Sequence, residues 1–203
     1  PPEEQHVVIV GGGLLGLELA AALKHKKVKI TIIQRASRLM ERQLDRISSK
    51  LLAEEVQQRD IQIYFDNEVS TVFSTNRAHE LEIALKSGRT LTANAIVYTI
   101  GTIPNIEVAK EAGLTCARGV KVNQYLQSSN PSIFAIGEIA EFNNQLFGIT
   151  SAAEEQADIL ANYLAGDISS HYKGSVLMNI LKLEDINLCS IGEIEVPEND
   201  DSY

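Results

Sequence analysis

Near the start of the chain, Gly11-Gly12-Gly13-Leu14-Leu15-Gly16 sets Gly11, Gly13 and Gly16 in a G-x-G-x-x-G pattern. Its flanks give it meaning. Val7–Val10 is a short, continuous apolar run, the mark of a strand buried on both faces of a parallel sheet. Leu14–Lys24 is rich in Ala and Leu, lacks proline and reads as a helix. Between such elements Gly11 permits the tight turn, Gly13 has no Cβ to block a diphosphate, and Gly16 lets the helix close onto the strand. The N–H groups at the start of the helix and its dipole then favour an anion, by about 0.3–1 kcal/mol for the dipole. Gly12, Leu14 and Leu15 belong to the same candidate cradle. A glycine turn with no ligand fits these residues too. An S-adenosylmethionine-dependent methyltransferase fits less well, because it also wants an acid on the ribose and leaves the second half of the chain unexplained.

That acid belongs at the end of the second strand, where this chain has Gln34, followed by Arg35 and, one turn later, Arg38. A carboxylate 4 Å from a ribose 2′-phosphate repels it by about 4 kcal/mol at an effective dielectric near 20. Gln34 removes that penalty, and either arginine has the charge to attract the phosphate. NADP, or both coenzymes, is therefore expected in preference to NAD alone. The plainer reading of the two arginines is a solvated surface.

The elements that must position these residues alternate over the first hundred positions. Val28–Ile33 reads as a second strand and Glu41–Arg59 as an amphipathic helix, with Leu44, Ile47, Leu51, Leu52 and Val56 on its apolar positions. Ile61–Phe65, Glu68–Ser74, His79–Leu85 and Arg89–Leu91 read as an antiparallel meander ahead of a last buried strand, Ala95–Ile100. Gly101-Thr102-Ile103-Pro104-Asn105 breaks the chain. Beyond it the pattern predicts a helix at Ile106–Ala112, strands near Gly119–Val122 and Ser132–Ile136, and a helix from Ser151 to Leu164 that ends at Gly166. Val176–Leu183 and Leu188–Ile191 are strand-like, within a stretch too short to form a core alone, and Pro197–Tyr203 is acidic and expected to fray.

Composition narrows the function classes. Apolar residues at 44% and charged residues at 22% are globular values, against a disordered or fibrous chain. Eighteen Lys and Arg against 27 Asp and Glu give a net charge of −9, which opposes nucleic acid and anionic lipid. Cys116 and Cys189 form no CxxC, so no metal site, iron–sulfur site or local redox pair is expected, and a reduced, cytoplasmic setting is. Val7–Leu23 is apolar but interrupted by three glycines and preceded by acidic residues, which fits neither a membrane span nor a signal peptide. The start at Pro1-Pro2, running almost at once into a strand, reads as a piece of a longer protein.

Four motifs together resemble a known family. Val7-Val8-Ile9-Val10-Gly11-Gly12-Gly13-Leu14-Leu15-Gly16-Leu17-Glu18 is similar to the NAD(P)-domain signature of flavin-dependent pyridine-nucleotide oxidoreductases. Leu39-Met40-Glu41-Arg42-Gln43-Leu44-Asp45 resembles the segment after the second strand in rubredoxin reductases and in the large subunit of NAD(P)H-dependent nitrite reductase. Tyr98-Thr99-Ile100-Gly101-Thr102-Ile103-Pro104-Asn105 resembles the closing ATGxxPN motif, with Ile100 in place of the usual Thr or Ser. Ser132-Ile133-Phe134-Ala135-Ile136-Gly137-Glu138 resembles the second flavin motif, a strand that ends in Gly-Asp.

The resemblance implies roles. Glu18 matches a glutamate near the nicotinamide carboxamide, with an exposed helix charge as the plainer alternative. Gly137 and Glu138 match residues at the flavin ribityl chain, although Glu138 stands where most relatives have Asp. That Glu, with Leu181-Lys182-Leu183 and Ser190-Ile191-Gly192-Glu193, favours the nitrite-reductase-like subgroup over ferredoxin and rubredoxin reductases. The expected fold class is α/β, a Rossmann-type three-layer NAD(P)-binding domain over 5–101 with an inserted meander. Part of an FAD-binding domain follows over 102–170, then the start of a C-terminal domain over 171–203. The expected cofactors are NAD(P)H and, in the intact enzyme, FAD. The expected partner is an electron-accepting domain or protein, iron–sulfur and siroheme or rubredoxin, and a homo-oligomer is compatible with the pattern. The chemistry lies in the flavin, so no catalytic residue is assigned, and the given stretch alone is expected to hold no flavin. A dinucleotide-binding module without turnover is the competing class.

Overall fold

The apolar run before the glycine turn becomes β1 (His6–Val10) in the computed structural model, which describes residues 5–24, 26, 28–183, 186–192 and 194. β2 (Lys29–Ile33) and β7 (Ala95–Tyr98) flank it, and β3 (Ile61–Tyr64) lies beyond β2, giving the order β3-β2-β1-β7. All pairs are parallel, with Val8 opposite Thr31 on one side and Ile96 on the other. Two-sided burial explains the continuous apolar runs: Val8, Ile9, Ile30, Ile32 and Ile33 are all 1% exposed or less.

One face of the sheet is covered by α1 (Leu14–Lys24) and α2 (Arg46–Gln58), whose Leu17, Ala20, Leu52 and Val56 meet Ile9, Ile30, Ile32 and Ile61. Each of the larger side chains contributes about 1.5–3 kcal/mol by leaving water. The other face is covered by an antiparallel meander, β4 (Val69–Ser74), β5 (Leu81–Leu85) and β6 (Thr90–Ala93), through Ile83, Leu85 and Ala93 against Val8 and Ile33. These are the three layers of the expected Rossmann-type α/β fold. A hairpin, β11 (Met178–Leu183) and β12 (Ile186–Ile191), completes the same core, with Leu181 and Leu183 buried in it and Ser190 Oγ donating to Gln43 O at 2.5 Å. The chain up to Gly101 and from Met178 onward forms one unit, and Thr102–Leu177 forms a second.

The second unit holds α3 (Glu107–Glu111), a three-stranded sheet of β8 (Val120–Val122), β9 (Ala140–Phe142) and β10 (Gln145–Leu146), and α4 (Thr150–Leu164). Its core gathers Leu126, Phe142, Phe147, Ala152 and Tyr172, with both phenylalanines edge-on to the Tyr172 ring.

Several expectations are corrected. Ile61–Phe65 does not belong to the meander: Ile61 and Ile63 turn into the helix-side core, and β3 pairs parallel with β2. The second helix starts at Arg46, not Glu41, because the Asp45 carboxylate caps it by accepting from Ser48 N at 2.7 Å, while Met40, at φ 46°, belongs to a separate turn in which its carbonyl accepts from Gln43 N and Leu44 N. The last parallel strand stops at Tyr98, where Thr99 turns to the glycine loop. Ser132–Ile136 forms no strand. Pro131 ahead of it supplies no N–H, and only an isolated bridge joins Phe134 to Gln127 before Gly137 turns the chain at φ 77°. Glu193 and Pro197–Tyr203, singled out in the sequence, lie outside the described residues.

Candidate functional site

The order of the sheet reverses at β1, and open α/β sheets take ligands at such a switch point, here the carboxyl ends of β1 and β7. Gly11–Gly16 occupies that end. Two of its glycines, Gly11 and Gly16, are demanded by contact with backbone, and Gly12 is packed against a side chain. A Cβ on Gly16 would stand 2.0 Å from Gly11 O and 2.7 Å from Thr99 Oγ1. One on Gly11, which sits at φ 114°, would stand 2.6 Å from Thr99 O, and one on Gly12 would stand 2.5 Å from Leu39 Cδ2. Gly13 is different: a Cβ there meets nothing within 4 Å. That flank of the turn is open.

The amides divide in the same way. Gly11 N donates to Ile33 O and Gly12 N to Gln34 Oε1, each at 2.8 Å. Among the described residues the N–H groups of Gly13, Leu14 and Leu15 make no hydrogen bond, and the first helical bond of α1 runs from Leu17 N to Gly13 O at 3.1 Å. A row of unspent donors at the positive end of an 11-residue helix faces an opening. Thr99 braces the turn from the neighbouring strand, donating from Oγ1 to Val10 O and Gly11 O at 3.1 Å. Sequence reasoning missed Thr99 because its role depends on β7 lying beside β1, which strand order decides.

Gln34 is buried, with its carboxamide turned into the protein: Oε1 accepts from Gly12 N, and Nε2 donates to Arg38 O at 3.0 Å. Its backbone is held as well, N donating to Tyr64 O at 2.9 Å and O accepting from Asn67 N at 3.1 Å. The side chain expected beside the ribose thus serves the glycine turn. Arg35 is exposed and makes no hydrogen bond or ion pair among the described residues. Arg38 is half-buried and its Nη2 donates to Glu41 O at 3.1 Å. The Glu68 carboxyl is held below its ordinary range, chiefly by the hydrogen bond and charge of Lys86 at 2.5 Å and in smaller part by the charge of Arg35. Glu18 lies half-buried on α1 with no hydrogen-bond partner among the described residues.

In the second unit Gly137 opens a 3₁₀ turn, Gly137–Ile139, and its N donates to Gln156 Oε1 at 2.7 Å. Gln156, on α4, is fully buried and its Nε2 has no partner among the described residues; the sequence offered no sign of it beyond one polar residue on an apolar helix face. The exposed Glu138 accepts through Oε1 from Thr102 Oγ1, which joins the residue after Gly101 to the second flavin-like motif, and Gly148 leaves room beside that carboxylate. Gly101 itself takes φ 96°, a conformation that glycine adopts at no steric cost. Cys116 and Cys189 are both free. Among the described residues no helix is long and apolar enough to cross a membrane.

A family model described as pyridine nucleotide-disulphide oxidoreductase matches residues 1–157. The assimilatory nitrate reductase electron transfer subunit of Bacillus subtilis is 34% identical over 194 residues, which is 96% of this chain and 25% of that protein. The NAD(P)H nitrite reductase of the same organism is 33% identical over 94% of this chain and 23% of its own length. The rubredoxin-NAD(+) reductase of Acinetobacter baylyi is 32% identical over 84% of this chain and 44% of its own. Among solved structures, a ferredoxin reductase from Rhodopseudomonas palustris superimposes with a TM-score of 0.85 at 28% identity, over 93% of this chain and 47% of that one. The chain thus spans 23% to 47% of the lengths of these relatives.

Proposed function

The chain belongs to the pyridine nucleotide-disulphide oxidoreductase family, and from that membership we propose that its first unit binds NAD(P)H at the glycine turn within a flavoprotein oxidoreductase. The observation that carries the reading is Gly13, whose open flank and neighbouring unspent amides match an approaching diphosphate. Gly11, Gly12 and Gly16 shape the turn, while Gly13, Leu14 and Leu15 present N–H donors to the phosphates. Glu18, one turn into α1, accepts from the nicotinamide carboxamide. Arg35 supplies the cation that a 2′-phosphate needs.

NAD(P)H held at the glycine turn would supply a hydride, and FAD held beside Gly137 and Glu138 would supply the exchange between two-electron and one-electron chemistry. This chain's residues bind and orient. Glu138, held by Thr102, accepts from ribityl hydroxyls, and Gln156 fixes Gly137 so that the turn keeps its shape. The acceptor is an electron-carrying domain or protein. The 33–34% identity to the nitrate and nitrite reductase chains favours the nitrite-reductase-like assignment, with its iron–sulfur and siroheme centres. A rubredoxin or ferredoxin reductase is the second reading, favoured by the 32% identity to rubredoxin-NAD(+) reductase.

Calorimetric titration of the 203-residue chain with NADH and NADPH tests the first part; a saturable site is expected, and no heat with either coenzyme refutes it. Incubation with excess FAD followed by gel filtration tests the second. Colourless protein is expected from the given stretch, and a flavin band near stoichiometry means the flavin site is not where Glu138 stands.

A further inference from the structure

We propose that Gln34 is a positioning residue that pins the segment around Arg35 to Arg38 against the glycine turn, and through it sets the preference of this site for a 2′-phosphate. The proposal rests on reading the glycine turn as a dinucleotide site. Its physical basis is a closed ring of hydrogen bonds. Gly12 N donates to Gln34 Oε1 at 2.8 Å, Gln34 Nε2 donates to Arg38 O at 3.0 Å, and Met40 N returns to Gly12 O at 2.9 Å. The two remaining steps of the ring are the backbone between Arg38 and Met40 and the single residue Gly12.

The chemistry of the ring selects a carboxamide. One end of the side chain faces a donor, the Gly12 N–H, and the other faces an acceptor, the Arg38 carbonyl. A glutamine supplies one acceptor and one donor at that separation. An ionised glutamate supplies acceptors only and sets its second oxygen against a carbonyl. At 7% exposure there is little water to relieve the mismatch. The ring is also tightly packed, since Leu39 Cδ2 fills the space that a Cβ on Gly12 would need. Met40 closes it from a φ of 46°, a conformation uncommon outside glycine, asparagine and aspartate.

Two consequences bear on selectivity. Both backbone polar groups of Gly12 are consumed, so the diphosphate is left to Gly13, Leu14 and Leu15. Arg35 leaves a backbone fixed before any ligand arrives, with the residue ahead of it bonded at N, O and both side-chain polar atoms. A guanidinium on such an anchor meets a phosphate with less ordering cost than one on a free loop.

The test is a double-mutant cycle on the full chain, with wild type, Gln34→Met, Arg35→Ala and the double variant titrated with NADPH and NADH. NMR exchange of the Gly12 amide is followed in parallel without ligand. Gln34→Met is expected to speed Gly12 exchange at least about tenfold, since it deletes the only acceptor of that N–H. In the Gln34→Met background the NADPH loss caused by Arg35→Ala is expected to shrink by at least about threefold, because coupled groups are not additive. Should Gln34→Met unfold, Gln34→Asn keeps the amide but is one methylene short of spanning both partners, and the same cycle applies. Additive effects, or an unchanged Gly12 exchange rate, overturn the proposal. Wild type that binds neither coenzyme while Gly12 exchange responds as expected overturns the dinucleotide reading instead, and the two failures are told apart by that titration.

Discussion

Replacing Gly13 by valine separates binding from folding. Nothing lies within 4 Å of the Cβ position at Gly13, and its backbone needs no positive φ, so the fold has room for the side chain. The residue immediately precedes α1, where valine is a poorer cap than glycine, and the cost is about 1 kcal/mol. For a chain of this size that lowers Tm by about 2–4 °C. The same branched side chain stands in front of the unspent amides. Blocking two charge-assisted hydrogen bonds at about 1.5 kcal/mol each removes about 3 kcal/mol, or more than a hundredfold in Kd. Gly16→Ala is the opposite control. Its Cβ would stand 2.0 Å from Gly11 O, a backbone atom that cannot swing aside, so α1 must move off the strand at a cost of about 3 kcal/mol, which is about 6–12 °C. Circular-dichroism melting and calorimetric titration with both coenzymes read the two effects. A folded Gly13→Val chain that binds with wild-type affinity refutes the placement of the diphosphate.

Three further outcomes are expected. Arg35→Ala should weaken NADPH by about 1–3 kcal/mol and NADH by less, and equal losses would make Arg35 only a surface charge. Lys86→Met should raise the Glu68 pKa toward its ordinary range in an NMR titration. Because the folded pKa is the lowered one, the stability this pair supplies is present at neutral pH and is lost as pH falls through that lowered value, and a carboxyl indifferent to Lys86 contradicts the assignment. Leu181→Ala should cost about 2–5 kcal/mol, read as a lower urea midpoint, since Leu181 is fully buried beside Leu17 and Ala20; a change under about 1 kcal/mol would mean the hairpin is not part of the first core.

The glycine turn was legible because Gly11 and Gly16 answer local steric demands between a strand and a helix already visible in the pattern, while Gly13 leaves its flank open. The Gln34 side chain was not. Its position at the end of β2 could be counted, but its direction depends on the Arg38 carbonyl and on Met40 taking a positive φ. Periodicity likewise cannot tell β3 from a meander strand, since Ile61-Gln62-Ile63 alternates in either setting and only its neighbour β2 decides. Ser132–Ile136 has the composition of a strand, yet composition does not supply a partner strand along its length. The β9–β10 hairpin escaped notice because its turn, Asn143-Asn144, takes positive φ at both residues without a glycine to announce it. The apolar face of β11, by contrast, could be read, but not that it would close a core begun at residue 7.

That last feature matters while the chain is being made. Leu181 and Leu183 fill space against a helix that left the ribosome some 160 residues earlier, so the first core waits for a piece synthesised after the whole of Thr102–Leu177. At ordinary elongation rates the delay between Gly101 and Leu183 is about 4–16 s, long compared with the folding of a helix-rich segment. During that interval Leu17 and Ala20 lack their last cover, and that apolar surface is open to chaperones. The order of synthesis thus places the 102–177 unit inside the folding of the other, as an insertion that must emerge in full before its host can be completed.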